Sequence, residues 1–524
     1  MTVHTEGVRP LSSTSATSVI GAVGARAGTR TVSVLIGTVG AFALSACAVG
    51  PNFHPAPKPT ETRYTATPLP SKTVSTGVRG GEAQRFDFGK ALPGEWWTLF
   101  GSAQLDALIE RSMANYPSIA AQQAALREAR ANLRAEEGNF LPQFQGAGSA
   151  IREQSAALAP GFPGFISNIF QATVNVSYTF DFFGKERRTV EGLRAQARYQ
   201  NFELEASYLT LTSNVASTAI QIAELSDEIA ATKDIVSLEG KQLGVVQERF
   251  RLGAQTRADI LQQESNLAAV RATLPPLEQQ LAAAEHALAV LTGRSPRDST
   301  ALALTLSDLK LPRQLPVSLP SSLVEQRPDI RAEEALVHQA SAAIGVATAN
   351  MLPQLTLSGQ FGDESFNMAT LIDPSSNIWS IAGSIVQPLF EGGTLRAKRR
   401  AAVAAYDQAA AQYRLVVLQA FQTVADSLTA LAHDAQALAA EHDSLDAAQA
   451  SLDLIQKQYA VGAVNSTTLL SAQQAYQQAR LAYLRAIASR YTDTVALFQA
   501  LGGGWWNRKD PGTLANPGTL AASH

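Results

Sequence analysis

The sequence predicts a mainly helical protein with a small membrane-inserted β part. Its repeating unit is one helix, a β-hairpin and a pair of long helices, and the unit is duplicated. Three observations lead to this fold class. The chain of 524 residues contains an internal repeat, a twelve-residue segment alternates between apolar and polar side chains, and two stretches of more than 100 residues lack proline.

The internal repeat organises the chain. Three pairs of matching segments mark it: Asn115–Ile119 with Gln326–Ile330, Leu141–Phe144 with Leu352–Leu355, and Gln247–Gly253 with Gln456–Gly462. The first two pairs lie 211 residues apart and the third 209, which fits a two-residue difference in one loop. We therefore assign residues 117–293 to the first repeat, 326–504 to the second, and the proline-bearing stretch 294–325 to a linker.

Four β-strands are expected, at about 143–153, 170–181, 354–362 and 378–388. Between Phe170 and Asp181 the even positions are apolar and the odd positions polar. Such unbroken alternation is typical of a strand with two different faces. Its length suits a transmembrane barrel strand, apolar towards lipid and polar towards a wet lumen. A half-buried strand of a soluble sheet has the same pattern, but the lipid-attachment signal described below favours the membrane.

Two long helices should follow each strand pair. In the second repeat, apolar side chains step by three and four residues through Leu445, Ala448, Leu452, Ile455 and Tyr459. This is coiled-coil spacing, and a 60-residue helix would be about 90 Å long. Gly253 and Gly462 interrupt the pattern at matching places. Each glycine is therefore expected to mark a turn between two helices.

Four strands are too few to close a barrel, since even small barrels need about eight. An open edge in lipid would leave backbone groups without partners, at several kcal/mol each. The strand count therefore predicts that the chain associates with copies of itself.

An export signal occupies residues 1–46. Arg26 and Arg30 flank the apolar segment 31–43, which is followed by Leu-Ser-Ala and by Cys47, the one cysteine of the chain. This arrangement resembles a bacterial lipobox, so Cys47 is the expected lipidation site. The alternative is an uncleaved anchor helix, but the apolar segment is shorter than the ~20 residues that span a bilayer. No later segment looks long and apolar enough for a membrane helix, so further insertion is expected to use strands.

Several function classes are disfavoured. The formal charge is −3 and no basic stripe is present, so nucleic acid is not an expected partner. The sequence has no phosphate-binding loop, no His-Glu-x-x-His motif and no nucleophile elbow. His433 and His442 lie nine residues apart, which does not place them on one helix face. We therefore expect no catalytic residue, no metal, no cofactor and no enzymatic activity.

Four motifs carry a family resemblance in the right order. They are Cys47–Phe53, Glu95–Phe100, Leu319–Leu323 with Gln326–Arg331, and Ala500–Trp505. Together with the duplicated core, they resemble the TolC-like outer membrane factors, in particular the NodT/OprM-type lipoproteins. The resemblance covers nearly all of the chain from Cys47 to Trp506.

The resemblance implies a homotrimer with a twelve-stranded β-barrel in the bacterial outer membrane, continuous with a twelve-helix α-barrel in the periplasm. An equatorial belt would be built from residues 48–116, the linker and the tail 505–524. The implied function is passive efflux of drugs or toxic metabolites, with the chain lipid-anchored among outer-membrane lipids. The implied partners are a periplasmic adaptor (a membrane fusion protein) and an inner-membrane resistance–nodulation–division transporter.

The resemblance also suggests site residues. The expected adaptor-contacting tips are Leu252, Gly253, Ala254, Val461, Gly462 and Ala463. The expected pore constriction or gate is formed by Arg257, Asp259, Thr467 and Ser471. Ser471 stands where family members often place an aspartate, so a constriction of hydroxyl and apolar groups is expected, with Asp259 in salt bridges. The alternative for Asp259 is a solvated charge at a helix start.

Two other functions compete with efflux. One keeps the fold and makes the chain the outer-membrane duct of a type I protein secretion system. The other is a structural coiled-coil lipoprotein of the periplasm, which the twelve-residue alternating segment disfavours.

Overall fold

The computed structural model describes residues 48–156, 164–299 and 302–508. Cys47, the signal segment and the tail beyond residue 508 lie outside these ranges. Up to the end of the first repeat, the elements are β1 (Arg85–Phe88), α1 (Ala103–Asn115), α2 (Pro117–Glu137), β2 (Gln143–Gln154), β3 (Ile166–Phe180), α3 (Lys185–Arg251), α4 (Arg257–Ala272) and α5 (Leu274–Leu291).

The linker and second repeat repeat this order. Their elements are β4 (Gln314–Val317), α6 (Pro320–Gln326), α7 (Pro328–Ala349), β5 (Gln354–Ser365), β6 (Asn377–Val386), α8 (Thr394–Ala460) and α9 (Ser466–Ala500). Short 3-10 turns lie at Trp96–Phe100, Gly138–Phe140, Pro296–Asp298, Leu306–Asp308, Met368–Thr370, Pro374–Ser376 and Trp505–Asn507. The helices α3 and α8 have 67 residues each, so each is about 100 Å long.

Proline begins the matching short helices of the two repeats. Pro117 opens α2 and Pro328 opens α7. A proline ring sets φ near its helical value, and the missing N–H costs nothing in the first turn, where that group has no helical partner. The repeated prolines of the sequence are therefore repeated helix starts.

Proline also breaks the returning helix of the first repeat. Because Pro275 and Pro276 follow Leu274, α4 ends at Ala272 and α5 begins as a new helix. In the second repeat, α9 runs for 35 residues without a break, because it has no proline. The returning helix is therefore broken in the first repeat and continuous in the second.

The strand ends depart from the expected ranges by a few residues. β3 begins at Ile166 rather than 170, because Ile166 pairs with Gln154 at the far end of β2. β6 ends at Val386 rather than 388, since Pro388 follows and lacks the N–H that a ladder requires. A partner strand and a proline, rather than the alternation itself, decide where these strands end.

The four long strands form an antiparallel sheet in the order β2-β3-β5-β6. Its register places apolar residues opposite one another on one face: Val174 pairs with Phe361, which pairs with Trp379. The other face carries amides and hydroxyls, such as Asn175 opposite Gln360. Trp379 is 72% exposed, so the apolar face is uncovered in a single chain. Within the described residues, the outer edges of β2 and β6 pair with no strand.

A large core joins the N-terminal segment to the end of α9. Trp96 and Phe100 pack against Phe498, with ring centroids 5.6 and 6.3 Å apart. The buried Tyr491 hydroxyl donates to the carbonyl of Leu309 in the linker, at 3.1 Å. Nearby, β1 and β4 pair in parallel. The N-terminal segment, the linker and the last turns of α9 thus pack around the middle of the long helices.

The expectation that no helix beyond the export signal could span a membrane requires correction. The helix α8 contains a segment that is long and apolar enough to do so, judged by length and composition. Alanine supplies much of this apolar character. Because α8 packs along α7 and α9 in the chain, its composition also fits a helix that buries one face against neighbours.

Candidate functional site

Each pair of long helices ends in a tight turn around one glycine. Gly253 has φ +75° and Gly462 has φ +79°, and neither has an atom within 4 Å of where a Cβ would be. The N–H of Ala254 donates to the carbonyl of Arg249, and that of Ala463 to Gln458, both at 2.9 Å or less. These bonds close a Schellman motif, which requires the left-handed conformation that glycine adopts without cost.

The turns are exposed and apolar at their outermost points. Leu252 is 66% exposed and Val461 is 81% exposed. Gly253, Ala254, Gly462 and Ala463, the other four predicted tip residues, are small and exposed as well. Exposed apolar groups at a helix tip mark a surface that another protein can cover.

Side-chain caps begin the helices that leave each turn. The Thr256 hydroxyl accepts the N–H of Asp259 at 3.2 Å, and the Asp259 carboxylate accepts the N–H of Thr256 at 2.9 Å. This is a capping box. At the second turn, Asn465 Oδ1 accepts the N–H of Thr468 at 2.9 Å. Both outgoing helices therefore begin with a side-chain cap, which stabilises their first turn.

An arginine of the first turn caps the helix that enters the second. Arg249 donates from Nη1 to the carbonyl of Tyr459 at 2.9 Å and from Nη2 to that of Ala460 at 2.8 Å. Its guanidinium also lies 4.8 Å from the centroid of the Tyr459 ring. The last carbonyls of a helix lack helical partners and carry partial negative charge, so a cation satisfies them well.

Two further hydrogen bonds join the turns. Ser466 Oγ donates to Asp259 Oδ1 at 2.6 Å, and Gln255 Nε2 donates to the Tyr459 hydroxyl at 3.2 Å. Beneath them lies a small apolar cluster of buried residues from all four helices: Val246, Ile260, Leu452, Tyr459, Leu469 and Ala472. We call the Arg249, Gln255 and Asp259 contacts across the two turns the tip latch.

Asp259 does not form the expected salt bridge. It makes no ion pair with any residue that the structure describes, and its carboxylate accepts from the hydroxyl and N–H of Thr256 and from the hydroxyl of Ser466. The hydrogen bond from Ser466, followed by those from Thr256, lowers the pKa of the Asp259 carboxyl. In the single chain, Asp259 thus caps the start of α4 and bonds to the other repeat, and its place in a pore constriction stays a prediction.

The other predicted gate residues lie on the surface of the tips. Arg257, Thr467 and Ser471 are all exposed. Neither Arg249 nor Tyr459 was among the predicted site residues, and Tyr459 was expected only in the apolar seam of its helix. A basic residue in the last turn of a helix was the available signal. This signal does not select Arg249 from the sequence alone, because Arg251 lies in the same last turn of α3.

A buried carboxylate lies above the latch. Glu239 on α3 is 1% exposed, and its Oε2 accepts from Gln263 at 2.5 Å and from Asn266 at 3.0 Å. Asn266 in turn accepts from Gln474 on α9 at 3.2 Å. Burial raises the pKa of Glu239, while the two amides oppose that shift. Three helices are thus tied together by polar groups just above their turns.

Within the described ranges, no three His, Cys, Asp or Glu side chains converge to hold a metal ion. The features that the structure does bring together are structural: paired turns, a latch and an apolar sheet face.

Comparison with known proteins decides the family. Residues 108–294 and 319–503 match the model of the outer membrane efflux protein family. The chain belongs to this family. Its two matched ranges fall on the two repeats. The resemblance to TolC-like outer membrane factors is therefore confirmed, and the members of this family are outer-membrane channels rather than catalysts.

Outer membrane proteins of two Pseudomonas species resemble the chain over most of its length. The pyoverdine export outer membrane protein OpmQ of Pseudomonas putida is 30% identical over 449 residues, which are 84% of this chain and 94% of that protein. The outer membrane protein OprJ of Pseudomonas aeruginosa is 28% identical over 471 residues, 89% of this chain and 94% of that one.

Solved structures of the family share the fold. The outer-membrane channel OprN matches with a TM-score of 0.79 and 24% identity, over 88% of this chain and all of that one. The outer membrane protein VceC of Vibrio cholerae matches with a TM-score of 0.74 and 25% identity, over 79% of this chain and all of that one. The mostly helical channel fold is thus common to all three.

Proposed function

We propose that this chain is the exit duct of a tripartite efflux system in the bacterial outer membrane. It would conduct small molecules passively from a periplasmic adaptor and a resistance–nodulation–division transporter to the outside. One observation carries the proposal: a single chain combines a sheet with an uncovered apolar face and two 67-residue helices that end in exposed turns. Such a chain can cross one membrane and reach towards another.

The sheet supports a homotrimer. Each chain supplies four strands with two unpaired edges among the described residues, β2 and β6. Three chains would supply twelve strands and join every edge to a neighbour, which lipid demands. The long helices would close beside the sheets into a twelve-helix barrel, by the same symmetry.

Membrane attachment would use the sheet and Cys47. The apolar row through Val174, Phe361 and Trp379 would face lipid, and the row through Asn175 and Gln360 would face the lumen. Lipid on Cys47 would add a second anchor. Residues 48–116, the linker and the tail would form an equatorial belt, which the shared core of Trp96, Phe498 and the linker favours.

The exposed turns would contact the adaptor, and the tip latch would hold the pore narrow. Small residues around Gly253 and Gly462 would let another helix approach closely. The latch ties the turns of the two repeats to one another within one chain. An opening motion that separates the two turns would have to break it. Arg257, Thr467 and Ser471 would line the constriction from the exposed side.

Cargo selection is proposed to lie outside this chain. Relatives at 24–30% identity are named for pyoverdine export, for antibiotic and toluene efflux, and for cation efflux. One duct fold therefore serves cargoes with no chemistry in common. The chain also lacks a nucleotide-binding motif, so the energy would come from a partner.

The test is site-specific photo-crosslinking in native cells. A photoreactive residue replaces Val461 at the second turn, and a matched probe replaces Leu415 on the same helix. The Leu415 side chain is 46% exposed and lies about 70 Å along the helix from Val461. The captured proteins are then identified after denaturing purification through a C-terminal tag. A parallel purification under native conditions identifies the transporter that accompanies them.

We expect the probe at position 461 to capture an adaptor and the probe at position 415 to capture none. An adaptor that co-purifies with a proton-driven transporter supports the efflux role. Capture of an ATP-driven transporter complex would instead make the chain a type I secretion duct. Capture of nothing but copies of the chain at both positions would overturn the pump role.

A further inference from the structure

Residues 48–53 lie across the helix ends nearest the sheet, and we call this segment the strap. The N–H of Val49 donates to the carbonyl of Phe183 at 3.0 Å. The guanidinium of Arg188, in the first turn of α3, donates to four acceptors of the strap: the carbonyls of Ala48, Val49 and Gly50, and Asn52 Oδ1 at 2.8 Å. Arg188 is 5% exposed. One buried arginine thus binds the strap largely through its backbone.

Three glycines make room for the strap. A Cβ on Gly50, which has φ +96°, would lie 2.5 Å from the Cα of Gly345 on α7. A Cβ on Gly345 would lie 2.7 Å from the Arg188 side chain and 2.9 Å from the Val49 carbonyl. A Cβ on Gly184 would overlap Ala48. The cleft therefore accommodates backbone and excludes side chains.

A charged cluster joins the two walls of this cleft. Arg188 donates to Glu191 Oε2 at 2.7 Å, and Glu191 Oε1 lies 2.8 Å from Nε2 of His338 on α7. The His338 ring stacks on Phe53 at the end of the strap, with centroids 4.2 Å apart and planes 9° apart. The strap is thus held at one end by the first repeat and at the other by the second.

The cleft lies between the two helices that connect directly to β3 and β5. The helix α3 follows β3 directly, and α7 leads directly into β5. The β3–β5 ladder is the pairing in the four-stranded sheet that joins the two repeats. It brings Phe180 opposite Leu355, which closes a loop of about 175 residues and carries a large entropic cost. Holding α3 against α7 beside this ladder reduces that cost.

We propose that strap docking in the Arg188 cleft is an assembly step that pairs β3 with β5, distinct from lipid attachment at Cys47. The two hairpins, β2–β3 and β5–β6, close short loops and form without the strap. The strap then joins the repeats at the level where their helices enter the sheet. The proposal concerns assembly of the duct and does not depend on which pump the duct serves.

Engineered disulfides measure the two pairings separately. Thr179 and Thr356 face each other across β3 and β5, with hydroxyls 3.1 Å apart. Ala147 and Thr173 face each other within the first hairpin. Each pair is replaced by two cysteines in the full chain, expressed with its export signal, and the oxidised fraction is measured. Directly opposed positions have the Cα spacing that a disulfide accepts.

Each pair is then combined with Arg188→Ala, with Phe53→Ala on the strap, or with Arg194→Ala as control. Arg194 lies on the same helix, is half exposed and pairs with Glu137 at 3.5 Å. Arg188→Ala should lower the Thr179/Thr356 disulfide at least about tenfold, the value of one lost hydrogen bond to a charged group. Phe53→Ala removes the ring stack on His338 and should lower the same disulfide about fivefold. Both variants should leave the Ala147/Thr173 disulfide unchanged. Lipid attachment at Cys47, followed by labelling the cells with palmitate, should persist in both strap variants. The control Arg194→Ala should change neither disulfide.

Two results would overturn the proposal. In one, the Thr179/Thr356 disulfide forms fully in both strap variants, so that the strap is dispensable for pairing. In the other, both disulfides are lost together, which means that the strap supports the whole fold rather than this ladder. Neither readout involves an adaptor or a transporter, so failure of the efflux role would leave the result intact.

Discussion

Arg249 Nη1 donates to the carbonyl oxygen of Tyr459 over 2.9 Å, and the same guanidinium lies 4.8 Å from the Tyr459 ring centroid. One side chain of the first repeat therefore caps a helix of the second. The bond has no counterpart in the other direction, because Gln458 occupies the position that corresponds to Arg249. The repeats are similar in fold but asymmetric in how they hold one another.

Replacing Arg249 should loosen the turns. Arg249→Ala removes two charge-assisted bonds and the ring contact, which together should cost about 1–3 kcal/mol of latch stability. We expect a higher open probability and a raised conductance in planar bilayers. Arg251→Ala is the matched control, because Arg251 bonds only Glu248 of its own helix among the described residues. Equal conductance changes in the two variants would refute the latch.

Asp259 and Ser466 should be energetically coupled. Each single alanine variant removes the 2.6 Å bond between the turns, and Asp259→Ala also removes the capping box. A double-mutant cycle on thermal stability should give a coupling energy of about 1 kcal/mol, since the pair is in direct contact. Additive effects would mean that the bond contributes nothing.

Conductance of Asp259→Ala tests whether Asp259 helps to keep the pore closed. No rise in conductance over wild type would remove that role.

The same carboxylate should make the latch sensitive to acid. The pKa of Asp259 is lowered by its bonds to Ser466 and Thr256, so the ionised form is favoured in the folded state. Its stabilising contribution is present above the ordinary pKa of an aspartate and is lost as the pH falls through the lowered value. Conductance of the wild type should therefore rise in acid more than that of Ser466→Ala, measured over the same pH series.

Asp434 should have the opposite pH dependence. Burial, followed by the neighbouring Asp493 on α9, raises the pKa of Asp434 to about 7. The folded state therefore keeps a proton that the unfolded chain releases near pH 4, so stability is lost as the pH rises from about 4 to about 7. Asp434→Asn has no proton to lose. It should gain about 1–2 kcal/mol over wild type at pH 8, after allowance for solvent screening, and little at pH 4.

Melting temperatures of purified wild type and Asp434→Asn at pH 4 and pH 8 measure this stability gain. Asp426→Asn replaces an exposed carboxylate of the same helix and serves as control. An Asp434→Asn gain that is equal at pH 4 and pH 8 would contradict a raised pKa of Asp434 as its cause.

The two faces of the sheet should differ in tolerance to charge. Trp379→Arg places a cation in the apolar row, where lipid would impose about 2–4 kcal/mol near the midplane. Ser380→Arg places the same cation on the polar face, one residue along the same strand. We expect loss of heat-stable oligomer from outer-membrane fractions for Trp379→Arg and its retention for Ser380→Arg. The reverse order would mean that the sheet faces were assigned the wrong way round.

Local features of the sequence predicted local features of the fold. The alternation from Phe170 to Asp181, the repeated prolines and the two glycines each act within a few residues of the chain. Strand pleat, helix starts and left-handed turns depend on those residues alone. The errors arose where another element intervened: β3 starts early because Gln154 pairs with Ile166.

The sequence by itself determined the duplication, the strand faces, the helical turns and the need for partners at the sheet edges. Only the tertiary structure decided which groups meet across the repeats. It selected Ser466 rather than an arginine as the partner of Asp259, Arg249 as the cap of the other helix, and Arg188 as the clamp of the strap. These partners lie more than 130 residues apart in the chain. Their contacts depend on how 100 Å helices are aligned, which a short-range pattern does not encode.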